Sequence, residues 1–221
     1  GLLEQVRLAD VWVHLDDAQF SKGGFFNRVQ LKSDKGTPWL TAPLAENRLG
    51  QALNETRLAD HDWRRKHLST LRQAYAKAPC ADEMLALAEG VLVKETDSLS
   101  ALSAGSIEAL SEYFEIMPSD IYWSSRMNIN DKGSSRVLAI CLTLGAERYV
   151  TGRGARDYLD HELFEASGIR VEYMNYGKRP YPQLHGDFTP YVTALDLAAN
   201  RGRSGREVIA SGTVYWKDFV K

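Results

Sequence analysis

The chain has 221 residues, of which 44% are hydrophobic and 25% are charged, and both values are ordinary for globular proteins. This length allows one well-buried core, or a main domain with a modest helical lobe. The formal net charge of −2 argues against broad electrostatic binding to nucleic acid, which would require a basic domain. The sequence contains no apolar run near the roughly 18 residues that a membrane span needs.

The cysteines and the first residues of the chain indicate the cellular compartment of the protein. Cys80 and Cys141 are far apart and have no metal-binding spacing, so a disulfide framework is not expected. A reduced, cytoplasmic setting fits better, and no signal peptide is visible. The sequence begins at Gly1 inside a helical pattern that continues to about Asp10, and we expect that N-terminal residues are missing from it.

A short apolar run, Val11–Leu15, predicts a buried strand that ends at two adjacent carboxylates, Asp16 and Asp17. In open α/β sheets, ligands bind beyond the carboxyl ends of the strands. A solvated turn is the simpler interpretation of a lone Asp-Asp pair. The density of different hydrogen-bonding groups that follow favours a binding site. Those groups are Gln19, Lys22, Asn27 and Arg28.

A β-hairpin and three helices are predicted next. Residues 27–32 alternate, residues 37–44 are rich in Trp, Thr and Leu, and the turn between them has a late glycine, which is typical of a hairpin. Apolar residues recur at helical spacing over residues 60–78, 82–93 and 98–114. Together, the three predicted helices form a helical lobe at about residues 60–115.

His67 lies on the same predicted helical face as Trp63 and Leu71. A histidine in such a position is more often a packing or surface residue than a catalyst. If it faces the polar segment after the first strand, its ordinary pKa of about 6.5 suits a general base.

The second half alternates helices and strands, which is the pattern of βαβ units with a parallel sheet. We expect strands at 121–123, 148–151 and 169–173, and helices at 134–144, 157–167 and 191–199. The predicted fold is therefore α/β, with a Rossmann-like, mostly parallel sheet, flanking helices, the β-hairpin insertion and the helical lobe.

Two further segments follow predicted strands. Ser124 and Ser125 end the strand at 121–123. The turn Thr151–Tyr158 carries Gly152 and Gly154, and its backbone N–H groups, together with a helix N-terminus, can hold an anion beside Arg153 or Arg156. A plain tight turn is an equally good interpretation.

Several motifs, in the same order over nearly the whole chain, resemble the WbqC-like family. They are Asp16–Lys22 with Asn27–Arg28, Trp39–Thr41 with Pro43, Lys66–Leu68 ahead of Tyr75–Pro79, Thr151–Leu159, Tyr181–Gln183, and Phe188–Asp196. The His-Gln-Pro-Asn-Tyr segment that normally precedes the first helix in that family is absent, which agrees with a missing N-terminus. Where the family often has Asn-Cys-Gly, this chain has Asn200–Gly202 with arginine in the middle, which weakens any cysteine mechanism.

The resemblance implies a cytoplasmic enzyme of bacterial surface-polysaccharide (O-antigen type) biosynthesis, formed by a single α/β domain over residues 1–221. Such an enzyme attaches an acyl or aminoacyl group to the amine of a nucleotide-activated amino sugar. The implied partners are that sugar and an acyl carrier protein or other activated acyl donor. No cofactor, metal, nucleic acid or membrane span is expected.

The predicted site combines the polar segments, which we expect to face one crevice. The predicted catalytic residues are Asp16, Asp17 and His67. The predicted substrate-binding residues are Gln19, Lys22, Asn27, Arg28, Ser124, Ser125, Gly152, Arg153, Asp157, Tyr158, Tyr181 and Gln183. Two alternatives stay open: a nucleotidyl-transfer or activating enzyme that consumes a nucleoside triphosphate, and a non-catalytic subunit that binds a carbohydrate or a carrier domain.

Overall fold

The computed structural model describes residues 1–46, 48, 50–60 and 62–219. Within them the strands are β1 Val11–His14, β2 Arg28–Gln30, β3 Trp39–Thr41, β4 Asp120–Trp123, β5 Arg148–Thr151, β6 Arg170–Met174 and β7 Thr213–Tyr215. The helices are α1 Leu2–Arg7, α2 Trp63–Ala74, α3 Ala81–Leu92, α4 Leu99–Tyr113, α5 Gly133–Thr143, α6 His161–Ala166, α7 Ala194–Arg201, α8 Arg206–Ile209 and α9 Trp216–Phe219. The mixed α/β class is confirmed, with short parallel and antiparallel sheets and several helices. The Rossmann-like arrangement stays a prediction.

Several helices are shorter than predicted. The helix expected at residues 157–167 begins only at His161, because the Asp160 carboxylate accepts a hydrogen bond from the Leu163 N–H (3.1 Å) and caps it there. The helix expected at 191–199 begins at Ala194, after the capping residue Thr193. The helix expected at 60–78 ends at Ala74, and residue 61 of that prediction lies outside the described residues.

The chain divides into two compact units. Unit 1 comprises Gly1–Leu15, Met117–Gly177 and Ile209–Lys221, and unit 2 comprises Asp16–Ile116 and Lys178–Val208. The assignment of the whole chain to one domain stays a prediction. Among the residues that the structure describes, none of the helices has the length and apolar character required to cross a membrane.

Unit 1 contains the predicted parallel strands. β1 runs parallel to β4, with Val11 opposite Asp120 and His14 opposite Trp123. β5 runs parallel to β6, and α6 lies between them in the chain, as the βαβ pattern predicts. β7 adds to the other edge of β6 in the antiparallel direction. The core of this unit includes Phe164 and Tyr173, which are fully buried.

A buried carboxylate fixes α1 to the C-terminal part of unit 1. Glu4 is fully buried, and its two oxygens accept hydrogen bonds from the Arg7 guanidinium at 2.6 and 2.9 Å. The Ser211 hydroxyl donates to the same carboxylate at 2.7 Å, and so does the Ser211 N–H. Because a buried charge is costly unless it is paired and hydrogen-bonded, these contacts account for a carboxylate in this position.

Unit 2 contains the hairpin and the helical lobe. β2 and β3 pair in the antiparallel direction, which confirms the predicted hairpin. α2 packs on α3, α3 packs on α4, and α7 also packs on α3. A core cluster between the irregular segments and the helices contains Phe20, Ala42, Leu53, Leu58, Trp63 and Leu99.

Candidate functional site

The predicted catalytic segment after β1 is held by backbone pairing in unit 2. The Asp16 carbonyl accepts a hydrogen bond from the Asn54 N–H (2.7 Å), and the Ala18 carbonyl accepts one from the Leu53 N–H (2.9 Å). Asp16 is buried, with 7% of its surface exposed, whereas Asp17 is half-buried. Asp17 is therefore the more accessible of the two carboxylates.

His67 is a half-buried residue of α2. Its ring packs edge-on against Trp63, with 5.0 Å between the ring centroids. Burial lowers the pKa of His67, and a hydrogen bond with the Thr41 main chain opposes this shift only in part. The imidazole is therefore mainly neutral near pH 7 and has a nitrogen able to accept a proton.

The carboxylate segment and the histidine helix meet at the same apolar cluster. Phe20, four residues after Asp16, and Trp63, one helical turn before His67, are both buried in it, and Ala18 packs against it. The segment that carries Asp16 and Asp17 and the helix that carries His67 thus share one apolar cluster of unit 2. Their catalytic roles stay predictions.

The four predicted binding residues near the hairpin differ in their surroundings. Gln19 and Lys22 are exposed. Asn27 is used by the hairpin itself, because its side-chain amide donates to the Ala42 carbonyl at 2.9 Å while the Ala42 N–H donates to the Asn27 carbonyl at 2.8 Å. Arg28 donates from Nε to the Gly24 carbonyl at 3.1 Å and from Nη2 to the Gly23 carbonyl.

Tyr181 and Gln183 belong to a buried network that sequence reasoning missed. The Tyr181 hydroxyl and the Gln183 amide each donate to Asp196 Oδ1 at 2.8 Å. Burial raises the pKa of Asp196, and these two donors and the nearby charge of Lys32 oppose that shift. Burial, and then the charge of Asp196, raises the pKa of the Tyr181 phenol.

Lys32 joins this network from the hairpin. Its side chain is buried, and its ammonium donates to Gln183 Oε1 (3.2 Å), to the Gly186 carbonyl (3.0 Å) and to the Asp187 carbonyl. The Lys32 N–H also donates to the hydroxyl of Tyr75, which is fully buried at the end of α2. One signal was present in the sequence: Asp196 interrupts an otherwise apolar stretch of α7.

The remaining predicted residues lie in unit 1. Ser124 is buried and Ser125 is exposed, in a short 3₁₀ turn after β4. Gly152 follows β5 with φ −89°, outside the left-handed region, and an added Cβ there would meet no atom within 4 Å. Neither observation requires glycine at this position.

The turn after Gly152 does not lead directly into a helix. A 3₁₀ turn covers Arg153–Ala155, and α6 begins only at His161. The predicted start of this helix at Asp157 is therefore wrong, because the helix begins nine residues after Gly152, and the anion-binding role of the turn stays a prediction. Arg153, Asp157 and Tyr158 are exposed in this turn.

His161 forms an unpredicted pair with Tyr173 in unit 1. The distance between His161 Nε2 and the Tyr173 hydroxyl is 2.7 Å. Trp216 stacks on His161 with ring centroids 4.6 Å apart, and Phe219 stacks on Tyr173 at 4.3 Å. Burial lowers the pKa of His161 and raises that of Tyr173, so both groups are mainly neutral near pH 7.

Cys141 and the acidic groups are further candidates for a functional site. Burial raises the pKa of the Cys141 thiol to about 11, as expected for a small apolar residue of a core helix. Within the described ranges, no group of three or more His, Cys, Asp or Glu side chains is arranged to hold a metal ion.

Comparison with known proteins identifies the family. The WbqC-like protein family matches the chain over residues 1–208. A protein of Mycobacterium tuberculosis (strain ATCC 25618 / H37Rv), named Uncharacterized protein Rv1507c, is 31% identical over 205 residues, covering 91% of this chain and 88% of the relative. No solved structure matches the chain. On this agreement in sequence and coverage, the chain belongs to the WbqC-like protein family.

Proposed function

We propose that the protein is an acyl- or aminoacyltransferase that modifies the amine of a nucleotide-activated amino sugar in bacterial surface-polysaccharide biosynthesis of the O-antigen type. Family membership gives the direction of this proposal. The observation that carries it is His67, a half-buried histidine whose lowered pKa keeps it neutral, on a helix whose Trp63 packs in the same apolar cluster as Phe20 of the segment after β1.

The first step of the proposed reaction is deprotonation of the substrate by a general base. An amino-sugar ammonium is not nucleophilic until it loses a proton, and His67 accepts that proton in the proposal. The free amine then attacks the carbonyl carbon of a thioester donor, and a C–N bond forms. When the tetrahedral intermediate collapses, the C–S bond breaks, and the thiolate takes up a proton, giving an amide and a free thiol.

The carboxylates and the exposed donors have supporting roles. Asp17, the more accessible carboxylate, attracts the substrate ammonium, and Asp16 holds the segment in position from its buried site. Gln19 is exposed and supplies hydrogen-bond donors for the oxyanion that develops on the acyl carbonyl, and the exposed Lys22 binds the diphosphate of the substrate. A single donor of this kind typically lowers the activation barrier by about 3–4 kcal/mol.

A transfer assay with matched variants tests the proposal. Uridine- and thymidine-diphosphate amino sugars are supplied with acyl-coenzyme A or acylated carrier protein, and amide formation is followed by mass spectrometry. Asp17→Asn and His67→Gln should each reduce turnover by roughly 10²-fold or more. Asp34→Asn, in the exposed hairpin turn, and Gln73→Ala, exposed on α2, serve as controls and should retain full activity.

The same assay distinguishes the alternatives. Consumption of a nucleoside triphosphate without amide formation would replace the proposal by an activating enzyme. Sugar binding that is unchanged in Asp16→Asn, with no turnover of any acyl donor, would replace it by a binding subunit. Wild-type turnover in both Asp17→Asn and His67→Gln would remove these residues from the acid–base roles.

The proposal includes the setting and the sheet arrangement. The reaction is placed in the cytoplasm, where activated sugars and acyl donors are available. A Rossmann-like sheet is supported by two parallel strand pairs in unit 1, β1 with β4 and β5 with β6. An experimental structure in which the order of these strands differs from a doubly wound sheet would contradict that arrangement.

A further inference from the structure

The hairpin of unit 2 displays two aromatic rings and a cation on its surface. Phe25 is 74% exposed and Trp39 is 40% exposed, and their ring centroids are 5.6 Å apart. The Arg28 guanidinium carbon lies 4.2 Å from the centre of the Trp39 ring. We refer to Phe25, Arg28 and Trp39 as the hairpin platform.

The loop that carries Phe25 is held in place on both sides. Gly23 adopts φ +87°, which favours glycine, and its carbonyl accepts a hydrogen bond from Arg28. On the other side, Phe26 packs on the buried Phe20 with 6.0 Å between centroids, and the Ser103 hydroxyl donates to the Phe26 carbonyl at 3.2 Å. The exposed Phe25 ring is therefore presented by a braced loop.

The strand register brings two residues of the hairpin platform, Arg28 and Trp39, to one face. Arg28 pairs with Thr41 and Gln30 pairs with Trp39, while Val29 pairs with Leu40. Because alternate residues of a strand point to opposite faces, Arg28, Gln30, Trp39 and Thr41 share the face away from Val29 and Leu40. Phe25, from the loop before β2, packs against Trp39, and the two rings beside the Arg28 guanidinium suit a flat, polar ligand.

The net positive charge of this region indicates that its ligand is negatively charged. The exposed charged residues of the hairpin and its preceding loop are Lys22 and Lys35 against Asp34, and the half-buried Arg28 adds a further positive charge, although the whole chain has a net charge of −2. Within the part of the chain that the structure describes, Arg28 donates to backbone carbonyls and has no carboxylate partner. Its positive charge is therefore not neutralised by the protein.

We propose that the hairpin platform binds a nucleoside diphosphate, with the base stacked on Phe25 and Trp39 and the diphosphate beside Arg28 and Lys22. Aromatic side chains stack with any nucleobase because each base has a π-face, and guanidinium groups pair with phosphate oxygens. This inference rests on the proposed function and names the part of unit 2 that recognises the nucleotide portion of the substrate.

The platform lies on the same strand as a contact of the proposed base. Trp39 is two residues from Thr41, whose main chain interacts with His67. Two residues of a β-strand span about 7 Å. A diphosphate-linked sugar that extends along β3 from the platform therefore runs toward His67.

Equilibrium binding of uridine diphosphate, measured by titration calorimetry on the full chain, tests this inference. Phe25→Ala and Trp39→Ala should each weaken binding by about tenfold or more, whereas Trp39→Phe should retain most of it. Lys22→Gln should weaken binding and reduce its dependence on salt. Tyr191→Ala is the matched control, because Tyr191 is 64% exposed with the Lys178 ammonium 4.5 Å from its ring centre, and it should bind as the wild type does.

Several results would contradict nucleotide binding at the hairpin platform. One is the absence of uridine diphosphate binding by the wild type, and another is unchanged affinity in Phe25→Ala and Trp39→Ala. Equal affinity for inorganic pyrophosphate would show that no base is recognised. Self-association that these variants abolish, without nucleotide binding, would assign the face to a second copy of the chain.

The binding test of the hairpin platform and the transfer assay of the proposed function can fail independently. Nucleotide binding that depends on Phe25 and Trp39, without transfer of any acyl group, supports the platform and contradicts the transferase. Transfer activity that survives both substitutions supports the transferase and contradicts the platform.

Discussion

Replacing Lys32 by methionine is expected to lower the free energy of unfolding by about 2–4 kcal/mol. The Lys32 ammonium donates to Gln183 Oε1 and to the carbonyls of Gly186 and Asp187, and methionine leaves all three acceptors without this donor. A hydrogen bond to a charged group contributes about 1.5–3 kcal/mol net. Gly186 and Asp187 are exposed, so water can replace the ammonium there, and the loss corresponds to one or two such bonds.

Urea unfolding followed by tryptophan fluorescence measures this loss as a lower midpoint with an unchanged m-value. Lys35→Met, in the exposed turn of the same hairpin, is the control and should change stability by no more than about 0.5 kcal/mol. Equal effects of the two substitutions would refute the reasoning, because the loss would then reflect hydrophobic exposure or charge and not the buried contacts.

A double-mutant cycle extends the test to Asp196. Lys32 is one of the groups that oppose the raised pKa of Asp196, so Lys32→Met should raise that pKa further. Asp196→Asn removes the titrating group while keeping an oxygen for Tyr181 and Gln183. The two losses should therefore not be additive, and the double variant should lose less stability than their sum. Strict additivity would show that Lys32 and Asp196 are not coupled.

Three further changes test separate features. Gly205→Ala should destabilise the protein by about 1–3 kcal/mol in urea unfolding, because its Cβ would lie 2.8 Å from two buried side chains, whereas Gly154→Ala, with nothing within 4 Å, should be neutral. Burial lowers the folded-state pKa of His67, so its contribution to stability is present above about pH 6.5 and is lost as the pH falls through that pKa. His67→Gln should therefore lose less stability than the wild type on acidification, and an identical pH profile would contradict this. Glu4→Leu should cost about 3–5 kcal/mol, since it leaves buried donors unpaired, whereas Glu147→Leu on the surface should not.

Element types could be predicted where the hydrophobic period was sustained. The hairpin, α3, α4, α5 and the strands at 148–151 and 170–174 lie close to their predicted positions, because their apolar residues follow a regular pattern in the sequence. Helix starts were less accurate. Asp160 and Thr193 are both good capping residues, but the apolar pattern extended beyond them and hid the true starts of α6 and α7.

Only those parts of the candidate site that depend on local sequence patterns could be predicted. Asp16, Asp17 and His67 were identified from a strand end and a helical face, which are local patterns. The contact between Lys32 and Gln183 joins residues 151 positions apart, and the Phe25–Trp39 pair depends on the conformation of the loop before β2. Periodicity contains no information on such contacts, because side-chain pairing across the chain is decided by packing.

The pairing of Glu4 with Ser211 has a consequence for biosynthesis. The two residues are 207 positions apart, so at about 5–20 residues per second the ribosome needs about 10–40 s to supply the partner after Glu4 has been made. All of unit 2 is translated within that interval, between the first and last segments of unit 1. Glu4 therefore has no Ser211 partner while unit 2 is being translated, and α1 completes this contact only after Ser211 has left the exit tunnel.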